Sequence, residues 1–491
     1  MKRTSLRLNL LRPAAGVSAA VLLVGLAGAL VVACSDDGSE PLPPGAAVDP
    51  GPGGTPGSGG GGPGGGQEDP KKDVPPTPAD PWNPPVETGA VAFPYKAYRC
   101  GYAVRQVSPS KPGADFHEDT GAAVPKNLHL TIAGNSESSV VVQWASDDVT
   151  KATEVRFGDS PTKLDKIAHG YSFTYGVTNR RQHELHLCGL EPGRTYYYDA
   201  GGTKARSPIY KFTTAPDKPT EVKVLVGGDT RSDPAVWGNI ATKAIAQGAT
   251  ALVMTGDAVA TGSTQSQWDA LFAAAPELFA QLPGIWTHGN HEGLDEVYFA
   301  QFALPDHGGA AGVEEWFATT YGGVRFVVLN DTVSSSAVIT GVERTFLDGT
   351  LKSVDRTRTP FVVAMHHQPP YTTSSGHGSA TSLRTAWTPL YDQYHVNAVL
   401  NGHVHSYEST MPLKGGTGNT VGTVTTDALG TRYLVFGGGG AGLYGFNGAQ
   451  PWIQKRESVH GYALITATAT EMKWTAFRED GSTIETIAMP K

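Results

Sequence analysis

Hydrophobic and polar positions change their rhythm along the chain. From about residue 93 to 217, apolar and polar residues alternate in short runs. Examples are Leu128-His129-Leu130-Thr131-Ile132, Val140–Trp144, Glu154–Gly158, Glu184–Leu187, Thr195–Tyr198 and Tyr210–Phe212. Alternation with turn residues between the runs predicts half-buried strands and an all-β sandwich. From about residue 219 the apolar runs become near-continuous: Val222–Val226, Ala251–Met254, Leu282–Trp286, Phe361–Met365 and Ala398–Leu400. Such runs read as strands buried on both faces. Helical periodicity separates them at Ala235–Ala246, Gln267–Gln281, Val342–Val354 and Leu383–His395. Within Gln267–Gln281, Trp268, Leu271, Phe272, Leu278 and Phe279 share one face and belong to a core. After Tyr433–Phe436 and the glycines 437–440, Tyr462–Thr466 and Met472–Phe477 read as a closing strand pair. The second region is therefore a layered α/β domain.

Neither rhythm extends to the beginning of the chain. Lys2, Arg3, Arg7 and Arg12 precede an apolar, small-residue stretch from Ala14 to Ala33, which reads as a secretory signal over residues 1–33. Its end, Val31-Val32-Ala33-Cys34, resembles a bacterial lipobox, in which Cys34 carries the lipid anchor. A membrane-spanning helix is the alternative, since about 20 apolar residues can cross a bilayer. Either way the remainder lies outside the cytoplasm, held at a bacterial membrane in the periplasm or at the cell surface. Residues 34–92 are rich in Gly and Pro and read as a disordered linker. The expected folded domains are then 93–218 and 219–491.

The formal net charge is −8, and the signal segment contributes only positive charge. An acidic surface argues against nucleic acid as a partner. It also implies that any phosphate-handling site needs its own local positive charge, which metals would provide. Of three cysteines, Cys100 and Cys188 remain beside Cys34. In an oxidising compartment they are candidates for a disulfide, with two buried thiols as the alternative.

The chemistry lies where the continuous runs end. Asp229 follows the first, Asp257 the second, Asn290 and His291 the third, His367 the fourth, and His403 and His405 the fifth. Ligands bind outside the carboxyl ends of strands in open α/β sheets. Carboxylate, amide and imidazole ligands together suit Zn, Fe or Mn. Two metals about 3.5–4 Å apart neutralise a phosphate ester and lower the pKa of water. Holding them that close takes a bridging carboxylate. The adjacent His366 and His367 point to opposite faces of a strand, so only one reaches such a site. Spacing to Pro369 and Tyr371 favours His367. His183 and His186, on an alternating strand with Leu185 and Leu187, read as strand surface residues. Trp286 and His288 read as structural. Neither Gly-x-Ser-x-Gly nor His-Glu-x-x-His is present.

These residues carry a family resemblance. Gly256-Asp257, Gly-Asn-His-Glu at 289–292, His367-Gln-Pro-Pro-Tyr371 and Gly-His-Val-His-Ser-Tyr-Glu at 402–408 resemble the motifs of calcineurin-like metallophosphoesterases. Within that superfamily the chain resembles purple acid phosphatases. Gly189-Leu190-Glu191-Pro192-Gly193 before a Tyr-rich strand resembles the fibronectin type III signature of their N-terminal domain. The resemblance implies a four-layer α/β (α+β) metallophosphoesterase β-sandwich flanked by helices, preceded by the fibronectin-like sandwich. It implies that Asp257 bridges two metals. Asn290, His367 and His403 then complete the second metal's shell, and Asp229 and His405 belong to the first. His291 and His377 are the implied substrate-facing groups and proton donors.

Two positions depart from the family pattern. Ala260 stands where the purple enzymes place a Tyr ligand, and Arg231 where other members place a His. The first site is therefore one protein ligand short. Arg231 reads either as a phosphate clamp or as a salt-bridged arginine. The expected activity is dinuclear metal-dependent hydrolysis of phosphomonoesters. The alternatives are a phosphodiesterase or nucleotide hydrolase, and a surface binding lipoprotein with a vestigial metal site. Oligomeric state is not legible from the residues.

Overall fold

The alternating segments form two antiparallel sheets. Lys126–Thr131, Ser139–Ser146 and Arg181–Cys188 pair in one, and Glu154–Gly158, Lys166–His169, Thr195–Gly201 and Tyr210–Thr213 in the other. Leu130, Val142, Trp144, Val155, Phe157, Leu185, Leu187 and Tyr198 fill the space between them. This is a computed structural model describing residues 81–105, 111–305, 314–332 and 335–491, all within the compact unit Gly65–Lys491. The expected signal segment and Cys34 lie outside the described residues.

The two regions share a sheet. Lys126–Thr131 pairs in parallel with Gly284–Trp286 through Thr131 and Gly284. From there the sheet continues through Ala251–Met254 and Val222–Gly227, all parallel. It closes with the antiparallel strands Gly461–Ala467, Glu471–Arg478 and Thr483–Pro490. A second sheet runs Val324–Val328, Phe361–Met365, Ala398–Asn401 and Arg432–Phe436 in parallel. One apolar core joins the facing sides of both sheets, with Val226, Val253, Ile285, Phe326, Val363 and Leu400 among its members. Helices Pro234–Ala246 and Gln265–Ala274 cover the first sheet, burying Trp237, Ile240 and Trp268. Helices Val342–Lys352, Thr381–Ala386 and Thr388–Tyr394 cover the second, burying Leu347, Leu383 and Tyr391 against Val362 and Val399. The result is the four-layer helix–sheet–sheet–helix arrangement, with parallel strands that end on one edge.

Several expectations need correction. The helix over Gln267–Gln281 breaks at Ala275, and a second helix starts at Pro276. Proline is well placed at a first helical position and poorly placed inside a helix. The helix over Leu383–His395 breaks at Trp387, again just before a proline, Pro389. The linker expected through residue 92 is already packed at Trp82, whose ring meets Phe157 edge-on at 4.9 Å and whose Nε1 donates to Ile167 O at 2.6 Å. Cys100 and Cys188 form a disulfide that ties this segment to strand Arg181–Cys188.

His183 and His186 are not surface residues; both are buried. His183 shares the inner face with Leu185 and Leu187 and stacks on Trp144 at 4.8 Å. His186 points to the other face, where Tyr102 covers it, its OH 2.7 Å from His186 Nδ1. Residues 95–105, which carry Tyr102, form isolated bridges and turns but no helix or longer strand, so periodicity did not reveal them.

Candidate metal centre

Each expected ligand sits just past a parallel strand. Asp229 follows Val222–Gly227, Asp257 follows Ala251–Met254, and Asn290 and His291 follow Gly284–Trp286. His367 follows Phe361–Met365, and His403 and His405 follow Ala398–Asn401. The first four come from one sheet and the rest from the other, so the centre closes the seam between them. Asp229, Asp257 and His403 have φ of 52°, 54° and 65°. Non-glycine residues rarely adopt this left-handed conformation, and it clusters at functional sites. The neighbouring glycines give room for it. A side chain at Gly289 would collide with the Asp257 carboxylate, and one at Gly402 or Gly437 with that of Asp229.

Two ligand sets share Asp257. Ligand atoms of Asp257, His367 and His403 lie within 4.8 Å of one another, and so do those of Asp229, Asp257 and His405. Asn290 joins the first-named set, its Oδ1 lying 3.1 Å from His367 Nε2 and 3.0 Å from His403 Nδ1. Asp257 Oδ1 is 3.2 Å from His367 Nε2, and Asp229 Oδ1 is 3.5 Å from His405 Nε2. Ring orientation is set from behind. His367 Nδ1 donates to Thr255 O at 2.8 Å and His405 Nδ1 to Gly442 O at 2.7 Å. A histidine that gives one N–H to a carbonyl presents its other nitrogen as a ligand. This donor set, with its aimed lone pairs and shared carboxylate, fits two metal ions.

The electrostatics agree. Burial pushes the Asp257 carboxyl up, but His367 and His291 outweigh it and hold the group below the usual carboxylate range. Burial pushes His367 down, while the charges of Asp257 and Asp229 raise it to about 10. Burial, His367 and His377 push His403 down to about 2. The carboxylates that hold a proton on His367 favour any cation placed between them, and His403, kept neutral, offers it a lone pair.

His367 faces the centre. His366 points the other way, with Nδ1 3.2 Å from Asp331 Oδ2. His291 Nδ1 donates to Ala260 O at 2.8 Å, which leaves Nε2 3.7 Å from Asp257 Oδ2. The His377 ring lies 4.0 Å from that of His403, and its Nε2 is 3.3 Å from Tyr444 OH. Arg231 is half-buried, with Nε 3.6 Å from Asp257 Oδ2. Trp286 packs on Phe302 at 4.1 Å and His288 on Tyr298 at 4.0 Å, both away from the ligands.

Three supporting carboxylates escaped the sequence reading. Buried Glu292 accepts from the N–H groups of Gly289 at 2.6 Å, Asp257 at 3.0 Å and Ala258 at 2.8 Å, and so joins two ligand loops. Asp331 accepts from Gln368 N at 2.5 Å and holds the His366–Gln368 turn. Glu408 accepts from Thr373 N at 2.9 Å and anchors the loop that carries His377. Glu292 and Glu408 lie inside the motifs, and Asp331 follows another apolar run, Phe326–Leu329, so each had a sequence signal.

Three stretches of the chain match known protein families. Residues 125–214 match the purple acid phosphatase N-terminal domain, 222–407 the calcineurin-like phosphoesterase domain, and 430–486 the iron/zinc purple acid phosphatase-like C-terminal domain. Purple acid phosphatase 18 of Arabidopsis thaliana is 25% identical over 377 residues, 73% of this chain and 82% of that protein. Phosphoenolpyruvate phosphatase of Allium cepa is 27% identical over 392 residues, 72% of this chain and 80% of that one. Among solved structures, the purple acid phosphatase PPD1 from yellow lupin (Lupinus luteus) seeds is similar with a TM-score of 0.65. That match has 20% identity and covers 75% of this chain and 74% of that one, a likeness of fold.

Proposed function

We propose that this chain, a phosphoric ester hydrolase whose calcineurin-like phosphoesterase domain lies between purple acid phosphatase N- and C-terminal domains, acts on phosphomonoesters outside the cytoplasm. The observation that carries the reading is the pair of ligand sets sharing Asp257. Asp257, Asn290, His367 and His403 would hold one metal, and Asp229, Asp257 and His405 the other. When bound, two such metals supply charge neutralisation and Lewis acidity to a phosphate ester. The protein's own groups do the rest. His291 Nε2 and His377 border the open side of the centre, and either can hold the proton that the leaving oxygen takes. Arg231 adds a forked donor that matches phosphoryl oxygens. Three potential cations around one mouth suit a monoester dianion better than a diester monoanion.

The test is hydrolysis of an aryl monoester and the matching diester by protein of measured metal content. Faster monoester cleavage is expected. A diester preference would shift the reading to a phosphodiesterase, and metal-loaded, folded protein inert on both would end it. The location outside the cytoplasm, with a lipid on Cys34 at the membrane, rests on the signal and lipobox pattern alone. It predicts that a Cys34→Ser variant leaves the membrane fraction.

A further inference from the structure

We infer that Arg231 gates the first metal position: its guanidinium stands over two of that position's three side-chain ligands, and a phosphate group draws it away. The inference rests on the dinuclear reading above and concerns how that centre fills. The two positions are unequal. Among the described side chains, the second is bounded by Asp257, Asn290, His367 and His403, the first by Asp229, Asp257 and His405.

Arg231 turns this shortage into competition. Its Nη2 lies 3.4 Å from His405 Nε2. That nitrogen is the ligand end of the ring, because Nδ1 already donates to Gly442 O. The Arg231 Nε faces Asp257 Oδ2 at 3.6 Å, too long for a hydrogen bond, and this buried N–H has no hydrogen-bond partner. The lone pair and carboxylate oxygen that would bind a cation therefore face one already attached to the chain. The backbone aims it there, since Asp229 and Ser232, on either side, have φ of 52° and 83°.

A guanidinium keeps its charge throughout the working pH range, so deprotonation cannot relieve the competition. Only movement can. The side chain is 19% exposed and that of His291, also beside Asp257, 30%, which leaves the guanidinium room on the solvent side of the centre. A phosphate bound there offers the fork two oxygens in matched geometry and satisfies the unpaired Nε–H. The guanidinium then clamps the substrate, and the first position is free to take its metal. By linkage, phosphate and the first-position metal tighten each other's binding by the same factor.

The experiment counts metal per chain by elemental analysis after loading and dialysis against metal-free buffer. It compares wild type, Arg231→Ala and Arg231→His, with and without inorganic phosphate. About one equivalent is expected in wild type without phosphate and about two with it; both variants should hold about two without phosphate. If a missing ligand alone empties the first position, Arg231→Ala stays near one, and that result overturns the gate. Wild type retaining two equivalents without phosphate overturns it as well. No metal in any of the proteins would instead overturn the dinuclear reading. Arg231→His adds a ligand while Arg231→Ala adds none, so agreement between them isolates removal of the guanidinium as the cause.

Discussion

Buried histidines beside carboxylates occur in two regions of this molecule, and they do opposite things. In the centre at the strand ends, His367 and His405 each give Nδ1 to a backbone carbonyl and turn Nε2 toward a carboxylate 3.2 and 3.5 Å away. On strand Arg181–Cys188 of the sandwich, His183 uses both ring nitrogens, on Ser146 Oγ at 2.7 Å and Thr153 Oγ1 at 2.8 Å. His186 does the same with Tyr102 OH at 2.7 Å and Glu184 Oε1 at 3.0 Å, and Glu184 also accepts from Lys111 Nζ at 2.8 Å. Burial and residue type do not separate the regions. What differs is the destination of the lone pairs. In the sandwich every nitrogen of these two rings has an internal partner, so the network is structural. In the centre the lone pairs of several rings converge on shared oxygens, where only a cation satisfies them together.

The largest effect expected from breaking that distinction follows His403→Ala. It removes an imidazole from the four-ligand set while leaving the sheets intact. Loss of several kcal/mol of transition-state stabilisation means a fall of about 10³-fold or more in monoester hydrolysis. Metal content should fall in parallel, and the melting temperatures of the metal-free proteins should differ little. Activity within tenfold of wild type would remove His403 from the centre.

The mirror experiment is Lys111→Met. Lys111 and Glu184 are both buried and pair at 2.8 Å. Removing one partner strands the other charge in the interior, at a cost of about 3–5 kcal/mol of stability. Hydrolysis per folded molecule and metal content should stay at wild-type values. A loss of metal on this substitution would show that the two regions are coupled through the shared sheet.

The contrast also explains what the residues revealed and what they concealed. The centre was legible because apolar runs and the ligands after them are both local in sequence, and parallel strands place their ends on one edge. Strand geometry admitted only one of His366 and His367 to the centre, and spacing to Pro369 and Tyr371 favoured His367. His183 and His186 were misread because their partners are remote. Tyr102 is 84 residues from His186, and it arrives on a segment with no period to recognise. Glu292 was visible inside its motif, but its role depends on three backbone N–H groups from two loops, and no pattern of side chains encodes that convergence. The left-handed turns at Asp229, Asp257 and His403 show only indirectly, through the glycines that give them room.

Glu292→Gln probes that backbone grip and should have a smaller effect. The carboxylate accepts N–H bonds from Gly289, Asp257 and Ala258. A glutamine keeps one acceptor oxygen but turns an NH₂ donor toward an N–H donor. The expected outcome is a 10–100-fold loss in metal affinity or activity, typical of disturbing groups behind a ligand. Unchanged kinetics with unchanged metal content would make Glu292 a packing residue.

The smallest effect is a pH slope. Burial, with Arg181 and His117 nearby, holds His183 down to about 3, and burial alone does the same for His288. Both are neutral in the folded protein, whereas an unfolded histidine takes up a proton near pH 6.5. The unfolded chain therefore binds more protons below that pH, and stability falls as pH falls. The contribution is complete above about pH 6.5 and is lost progressively toward pH 3. Each histidine should add about 1.4 kcal/mol per pH unit to the slope within that window. Urea unfolding from pH 7 to 5 measures it. His183→Gln should lower stability at pH 7 through loss of the Trp144 stack, yet flatten the slope by one histidine's share. If the slope is unchanged, His183 is already protonated in the folded protein, and the sandwich's saturated network would then hold a buried charge.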